Sequence, residues 1–189
     1  VFMPMAISFV GAGIIWRFVY EYRSAGRDQI GLLNAMVVGL GGDPVQWLQT
    51  DPLNTFLLIV VMIWIQTGFA MVVLSAAIKG IPTEQIEAAQ LDGTNAWQRF
   101  SNVTVLGIRS SLVVVLTTIS IATLKVFDIV RTMTGGNFDT SVIANEMYTQ
   151  AFRASEVGRG SALALILFVM VLTIVIYNVN VLRKQREIR

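Results

Sequence analysis

Lys125 and Asp128 stand three residues apart in a run, Ser110 to Val130, that is otherwise apolar enough to cross a bilayer. Each such charge costs about 2.5–3.5 kcal/mol near a bilayer centre, so it needs a use. At i and i+3 of one helix the two can pair with each other. At about 100° per residue, Ser111, Thr118 and Lys125 align, with Ser110, Thr117 and Asp128 beside them. The result is a polar stripe, which belongs against a bundle interior or a wet cavity rather than lipid. Two readings stand. Either the hydroxyls and charges exchange hydrogen bonds with a solute moving along a path, or Lys125 and Asp128 form a structural ion pair while Ser and Thr pack helices. On the preceding apolar segment Gln66 is the only amide and Phe69 follows three residues on, so both are further path candidates.

Other chemistry is scarce. The 189 residues contain no Cys and no His, so there is no thiolate nucleophile or thiolate zinc site, and the usual general base and commonest metal ligand are missing. No catalytic or metal site is expected. Gly39, Gly41, Gly42 and the pair Gly135-Gly136 lack the Lys-Ser/Thr partners of a phosphate-binding loop; ATP must be handled by another chain. The basic residues are dispersed, and the one cluster abuts an apolar segment, which excludes a nucleic-acid role.

The elements follow from composition. The chain is 54% hydrophobic and 14% charged, with mean hydropathy +0.66, against about 25% charged in soluble domains. That is too little charge to coat a soluble surface. We expect an all-α, multi-pass transmembrane helical bundle forming one domain over 1–189, with about four spans near 1–20, 55–78, 110–130 and 161–182. The first is the weakest, about 15 uncharged residues before Arg17. The opening Val1-Phe2-Met3-Pro4 reads as a cut through a longer protein, N-terminally incomplete. Gly41-Gly42-Asp43-Pro44 and Asp51-Pro52 read as turns, and Trp47 as an interfacial anchor or the buried Trp of an exposed loop. The tail Arg183-Lys184-Gln185-Arg186-Glu187-Ile188-Arg189 is basic and reads as cytoplasmic; alternation then puts 79–109 inside and 17–54 and 131–160 outside.

The segment 79–109 carries the most information. Pro82 or Thr83 starts a short helix with Glu84 and Glu87 near its positive end. Asp92-Gly93 stops it, since Gly accepts the left-handed conformation. Asn95 and Gln98 have capping-box spacing for a second helix, with Trp97 and Phe100 on one face. Physics alone permits an amphipathic interfacial hairpin. The run Glu87-Ala88-Ala89, Asp92-Gly93, Gln98 and Phe100 also resembles the EAA loop of permease subunits of binding-protein-dependent ABC importers. Thr94 stands in place of a third Ala, and Val105-Leu106 in place of Leu-Pro. Leu124-Lys125-Val126-Phe127-Asp128 before Thr134-Gly135-Gly136 resembles the carbohydrate-uptake branch, with Asn137 where Pro is common.

The resemblance implies a type I permease core in a prokaryotic cell membrane, with ATP and Mg held by separate ABC ATPase subunits, not by this chain. It also implies a second permease subunit, an extracytoplasmic solute-binding protein, and a sugar or oligosaccharide as substrate. Glu87, Ala88, Ala89, Asp92, Gly93, Gln98 and Phe100 would couple to the ATPase. Gln66, Phe69, Thr118, Lys125 and Asp128 would line the sugar's path. Trp97 and Phe100 are either interface anchors or packed on the chain's own spans. The rival reading is a membrane anchor or assembly subunit that docks a cytoplasmic partner without transport.

Overall fold

The computed structural model describes residues 3–24 and 26–187, and these are helical with no strand among them. Val1 and Phe2, which open the first expected span, lie outside the described residues, as do the side chains of Lys184, Arg186 and Arg189 in the basic tail.

The uncharged run after Pro52 forms the longest buried element, α3 (Leu53–Lys79, 27 residues). At about 1.5 Å per residue it is ~40 Å long, more than the ~30 Å hydrocarbon core. Its buried residues Asn54, Leu58, Val61, Met62, Ile65 and Gly68 recur every three or four positions, so one stripe faces the protein. Lys79 and Gly80 end it, the Gly80 N–H closing on the Ala76 carbonyl.

Against that stripe lies α1 (Phe9–Val19), capped by the Ser8 hydroxyl, which accepts from the Gly11 N–H at 3.1 Å. With 11 residues it is ~16 Å long, shorter than the hydrocarbon core. Trp16 meets Trp64 of α3 edge-on at 5.6 Å. A short helix, α2 (Leu32–Gly39), lies between α1 and α3 in the chain.

Beyond α3 come α4 (Thr83–Leu91) and α5 (Ala96–Arg99), then a π-helical turn, Phe100–Thr104, and α6 (Val105–Gly107). The chain bends by 69° at Ile108 into α7 (Arg109–Leu124). Gly107 fits close to Ile81: a Cβ there would stand 3.1 Å from Ile81 Cδ1.

The helix expected across 110–130 does not run through. It ends at Leu124, Lys125 caps it, and α8 (Asp128–Met133) starts afresh. The β-branched and aromatic pair Val126-Phe127 favours helix weakly, and Asp128 suits the positive end of a new helix. The break turns Ile129, Val130 and Met133 into the core they share with Ala12, Tyr20, Leu58, Val61, Met62 and Ile65.

A turn and α9 (Ile143–Tyr148) lead through a second π-helical turn, Thr149–Arg153, to α10 (Val157–Glu187). The most apolar window of α10 is not buried by the rest of the chain; Leu165, Phe168 and Ile176 are exposed. A helix apolar all round suits lipid or another subunit. Among the described residues two helices, α3 and α10, are long and apolar enough to cross a membrane, and the bent pair Ala96–Gly107 with Arg109–Leu124 makes a third if it is one span.

Candidate functional site

The hairpin of α4 and α5 is set by local chemistry. The Gly93 N–H closes on the Gln90 carbonyl at 3.0 Å, and Gly93 itself sits at φ +77°. Only glycine takes that conformation without steric cost. Asn95 Oδ1 accepts from the Gln98 N–H at 2.8 Å while Gln98 Oε1 accepts from the Asn95 N–H at 3.0 Å. The expected capping box is therefore formed in both directions.

Each expected loop residue can be placed. Glu87, Ala88, Asp92 and Gly93 are exposed, whereas Ala89 is buried and faces the fold. Gln98 is exposed, with its amide oxygen used by the cap. Trp97 is 73% and Phe100 48% exposed, their rings 5.7 Å apart. The two rings pack on each other, and Trp97 is the more exposed of the pair. Leu91 adds an exposed apolar side chain at the end of α4. Thr94, a departure from the EAA pattern, ties the turn back onto the first helix, because its hydroxyl donates to the Ala89 carbonyl at 2.6 Å. A hydroxyl just after the helix-stopping glycine was the available signal.

The path candidates divide between two cavities. One, of about 500 Å³, lies between α3, α7 and residues 139–142 and takes in Gln66. Thr67 and Thr123 are also on its wall, but their hydroxyls donate back to Ile63 and Ile119. Phe69 does not line it. The second, of about 440 Å³, brings together Thr118, Lys125, Asp128, Phe9 and Phe127. Here the Thr118 hydroxyl donates to the Val114 carbonyl. The expected pairing of Lys125 with Asp128 is absent: among the described residues the ion pair formed is Arg23 with Glu21, at 3.7 Å. The break at Lys125–Phe127 explains this, since i and i+3 face together only on a continuous helix.

A third cavity, of about 670 Å³, opens near the start of α3, between the end of α1, residues 46–49 and residues 133–138. Tyr20, Tyr22, Trp47 and Phe138 give it aromatic surfaces, and Arg17 and Gln46 give it polar ones. Trp47 is held from behind: its indole N–H donates to Asn34 Oδ1 at 2.9 Å. Asn34 is fully buried and also bonds Glu21 and Val45. Sequence reasoning missed both the cavity and Asn34; a lone amide in the apolar run of α2 was the only sign.

Comparison with known proteins gives a consistent set of matches. The family model described as "Binding-protein-dependent transport system inner membrane component" matches residues 1–188. The chain is 54% identical over 189 residues to the "Osmoprotective compounds uptake permease protein GgtC" of Synechocystis sp., covering 100% of this chain and 68% of that one. It is also 54% identical over 181 residues to the "Alpha-glucoside transport system permease protein AglF" of Rhizobium meliloti, covering 95% of this chain and 54% of that one. Among solved structures it is similar to a chain of a "bacterial alginate ABC transporter in complex with alginate pentasaccharide-bound periplasmic protein", with TM-score 0.81 and 25% identity. That match covers 94% of this chain and 61% of the other. The chain thus spans between about half and two thirds of the relatives it matches.

Proposed function

This chain belongs to the family of binding-protein-dependent transport system inner membrane components, and from that premise we propose that it serves as a permease subunit of an ATP-driven importer for a sugar or oligosaccharide. The observation that carries the reading is the α4–α5 hairpin. It exposes Leu91, Trp97 and Phe100 around a glycine turn, and exposed aromatics are the usual anchors of a protein interface. In this reading Glu87, Ala88, Asp92 and Gly93 form the face that docks a separate ATPase subunit, and Gln98 fixes the hairpin's shape. Ala89 belongs to the support, being turned inward.

The proposed mechanism is a push relayed from the hairpin to the helices beside it. The rigid turn at Gly93 transmits a push on the hairpin to α3 through Gly80–Pro82 and to α7 through the 69° bend. These helices form walls of the cavity holding Gln66, and α7 also bounds the one holding Thr118, Lys125 and Asp128. Motion of the hairpin then changes both cavities together. ATP and Mg act on the partner ATPase, a second permease subunit completes the path, and an extracytoplasmic binding protein delivers the sugar. The hairpin and the C-terminal tail lie on the cytoplasmic side of a prokaryotic cell membrane.

Reconstitution tests this. The full-length permease would be placed in proteoliposomes with its second permease subunit, ATPase and binding protein, and ATP-dependent uptake of labelled maltose, trehalose and sucrose measured. Uptake of at least one is expected. Assembly of the complex with ATP hydrolysis but no uptake of any sugar would favour the anchor reading instead.

A further inference from the structure

We propose that the cavity of about 670 Å³ beside Trp47 is a subsite for a saccharide, at the end of the molecule remote from the α4–α5 hairpin. The inference rests on the importer reading and adds a binding site to it. Its volume falls within the ~300–1,000 Å³ of small-molecule sites.

Position comes first. The cavity lies beside the start of α3, whereas the hairpin follows its end. The 27 residues between give a separation of ~40 Å along the helix. If the hairpin faces the cytoplasm, this cavity faces the side from which a sugar arrives.

The lining fits the ligand. A saccharide presents two chemistries, flat C–H faces and a rim of hydroxyls that lose water on binding. Aromatic rings match the first, and Tyr22, Trp47 and Phe138 supply them. Forked donors and acceptors match the second, because an unpaired buried hydroxyl costs more than its hydrogen bond gains. Gln46 and Gln49 supply amides on the wall, and among the described residues neither side chain, nor the Tyr22 hydroxyl, makes a hydrogen bond. Gln46 and Gln49 are exposed, so their amides can exchange water for saccharide hydroxyls. By contrast, the hydroxyls of Thr67 and Thr123 in the Gln66 cavity are already used.

Charge adds an anchor. The wall carries one cation, Arg17, and one anion, Glu21, and Glu21 is already paired with Arg23. Arg17 donates to the Thr132 carbonyl at 3.4 Å and keeps further N–H groups for a saccharide oxygen, whether hydroxyl or carboxylate. Rigidity supports it as well, since the Asn34 bond fixes the Trp47 ring before any ligand arrives, so little ordering is lost on binding.

The test uses the intact transporter in nanodiscs without its binding protein. Equilibrium dialysis with labelled maltose or trehalose measures direct binding. Gln46→Leu with Gln49→Leu should weaken disaccharide binding at least about tenfold, and Tyr22→Phe, which keeps the ring, should weaken it about threefold or more. Asp28→Asn, exposed outside the cavity, serves as the control and should bind like the unaltered protein. Unchanged binding in the double variant overturns the proposal. So does a loss of affinity for the binding protein with saccharide binding intact, which would make the cavity a socket for a protein loop. ATP-driven uptake by the unaltered complex separates the two readings. With uptake present and the variants silent, only the subsite fails; with neither uptake nor binding of any sugar, both readings fall.

Discussion

The indole N–H of Trp47 donates to Oδ1 of Asn34 across 2.9 Å, and Asn34 spends its remaining polar capacity on Glu21 and Val45. One buried amide thereby fixes the end of α1, the segment before α3 and an aromatic wall of the largest of the three cavities described. Asn34→Leu should cost at least about 2 kcal/mol, because four hydrogen bonds go and buried backbone groups lose partners. Trp47→Phe, which removes one bond, should cost about 1 kcal/mol. Thermal unfolding of the detergent-solubilised complex gives both; an equal cost for the two would refute the hub.

Gly93 tests conformation apart from space. A Cβ there meets nothing within 4 Å, so only its φ of +77° resists substitution. Gly93→Val should be strained by about 1–2 kcal/mol and lower uptake per ATP hydrolysed. Gly93→Asn, which tolerates left-handed backbone, should recover most of the coupling. Normal coupling in the Val variant would remove the turn from the mechanism.

Trp97 and Phe100 are exposed and touch each other, so removing them should spare the fold. Trp97→Ala should weaken ATPase docking by ~2 kcal/mol, the scale of an interface hot spot. Pull-down of the ATPase against an unchanged unfolding temperature is the measurement.

Lys125 and Asp128 share a cavity without sharing an ion pair. A true buried pair punishes loss of one partner heavily; these two should not. Lys125→Met and Asp128→Leu should each reduce uptake per assembled complex. Because they share a cavity some coupling is expected, but in a double-mutant cycle it should stay below about 1.5 kcal/mol. A coupling above about 1.5 kcal/mol would restore the pair.

Topology can be read directly, since the sequence has no Cys. A single cysteine at Gln90, on the exposed face of α4, should react only from the cytoplasm in intact cells. One at Gln46, near the opposite end of α3, should react only from outside. Labelling of both from the same side overturns the orientation.

Composition and local pattern alone determined the helical class, the long apolar runs that became α3 and α10, and the helix–glycine–helix form of the α4–α5 hairpin. The reason is range: hydropathy, a capping box and a glycine's φ act within a few residues, so they are written where they act. The break at Lys125–Phe127 was not legible, because its energy comes from Ile129, Val130 and Met133 reaching α1 and α3 across the chain. Sequence periodicity extended the helix through that point and made neighbours of two charges that the break separates. Nor was the cavity beside Trp47 legible. Its walls come from segments more than a hundred residues apart, Arg17 from α1 and Phe138 from the turn after α8. Only the packing that buries Asn34 and the core of α1, α3 and α8 brings them together, because non-local contacts depend on where the whole chain has already gone.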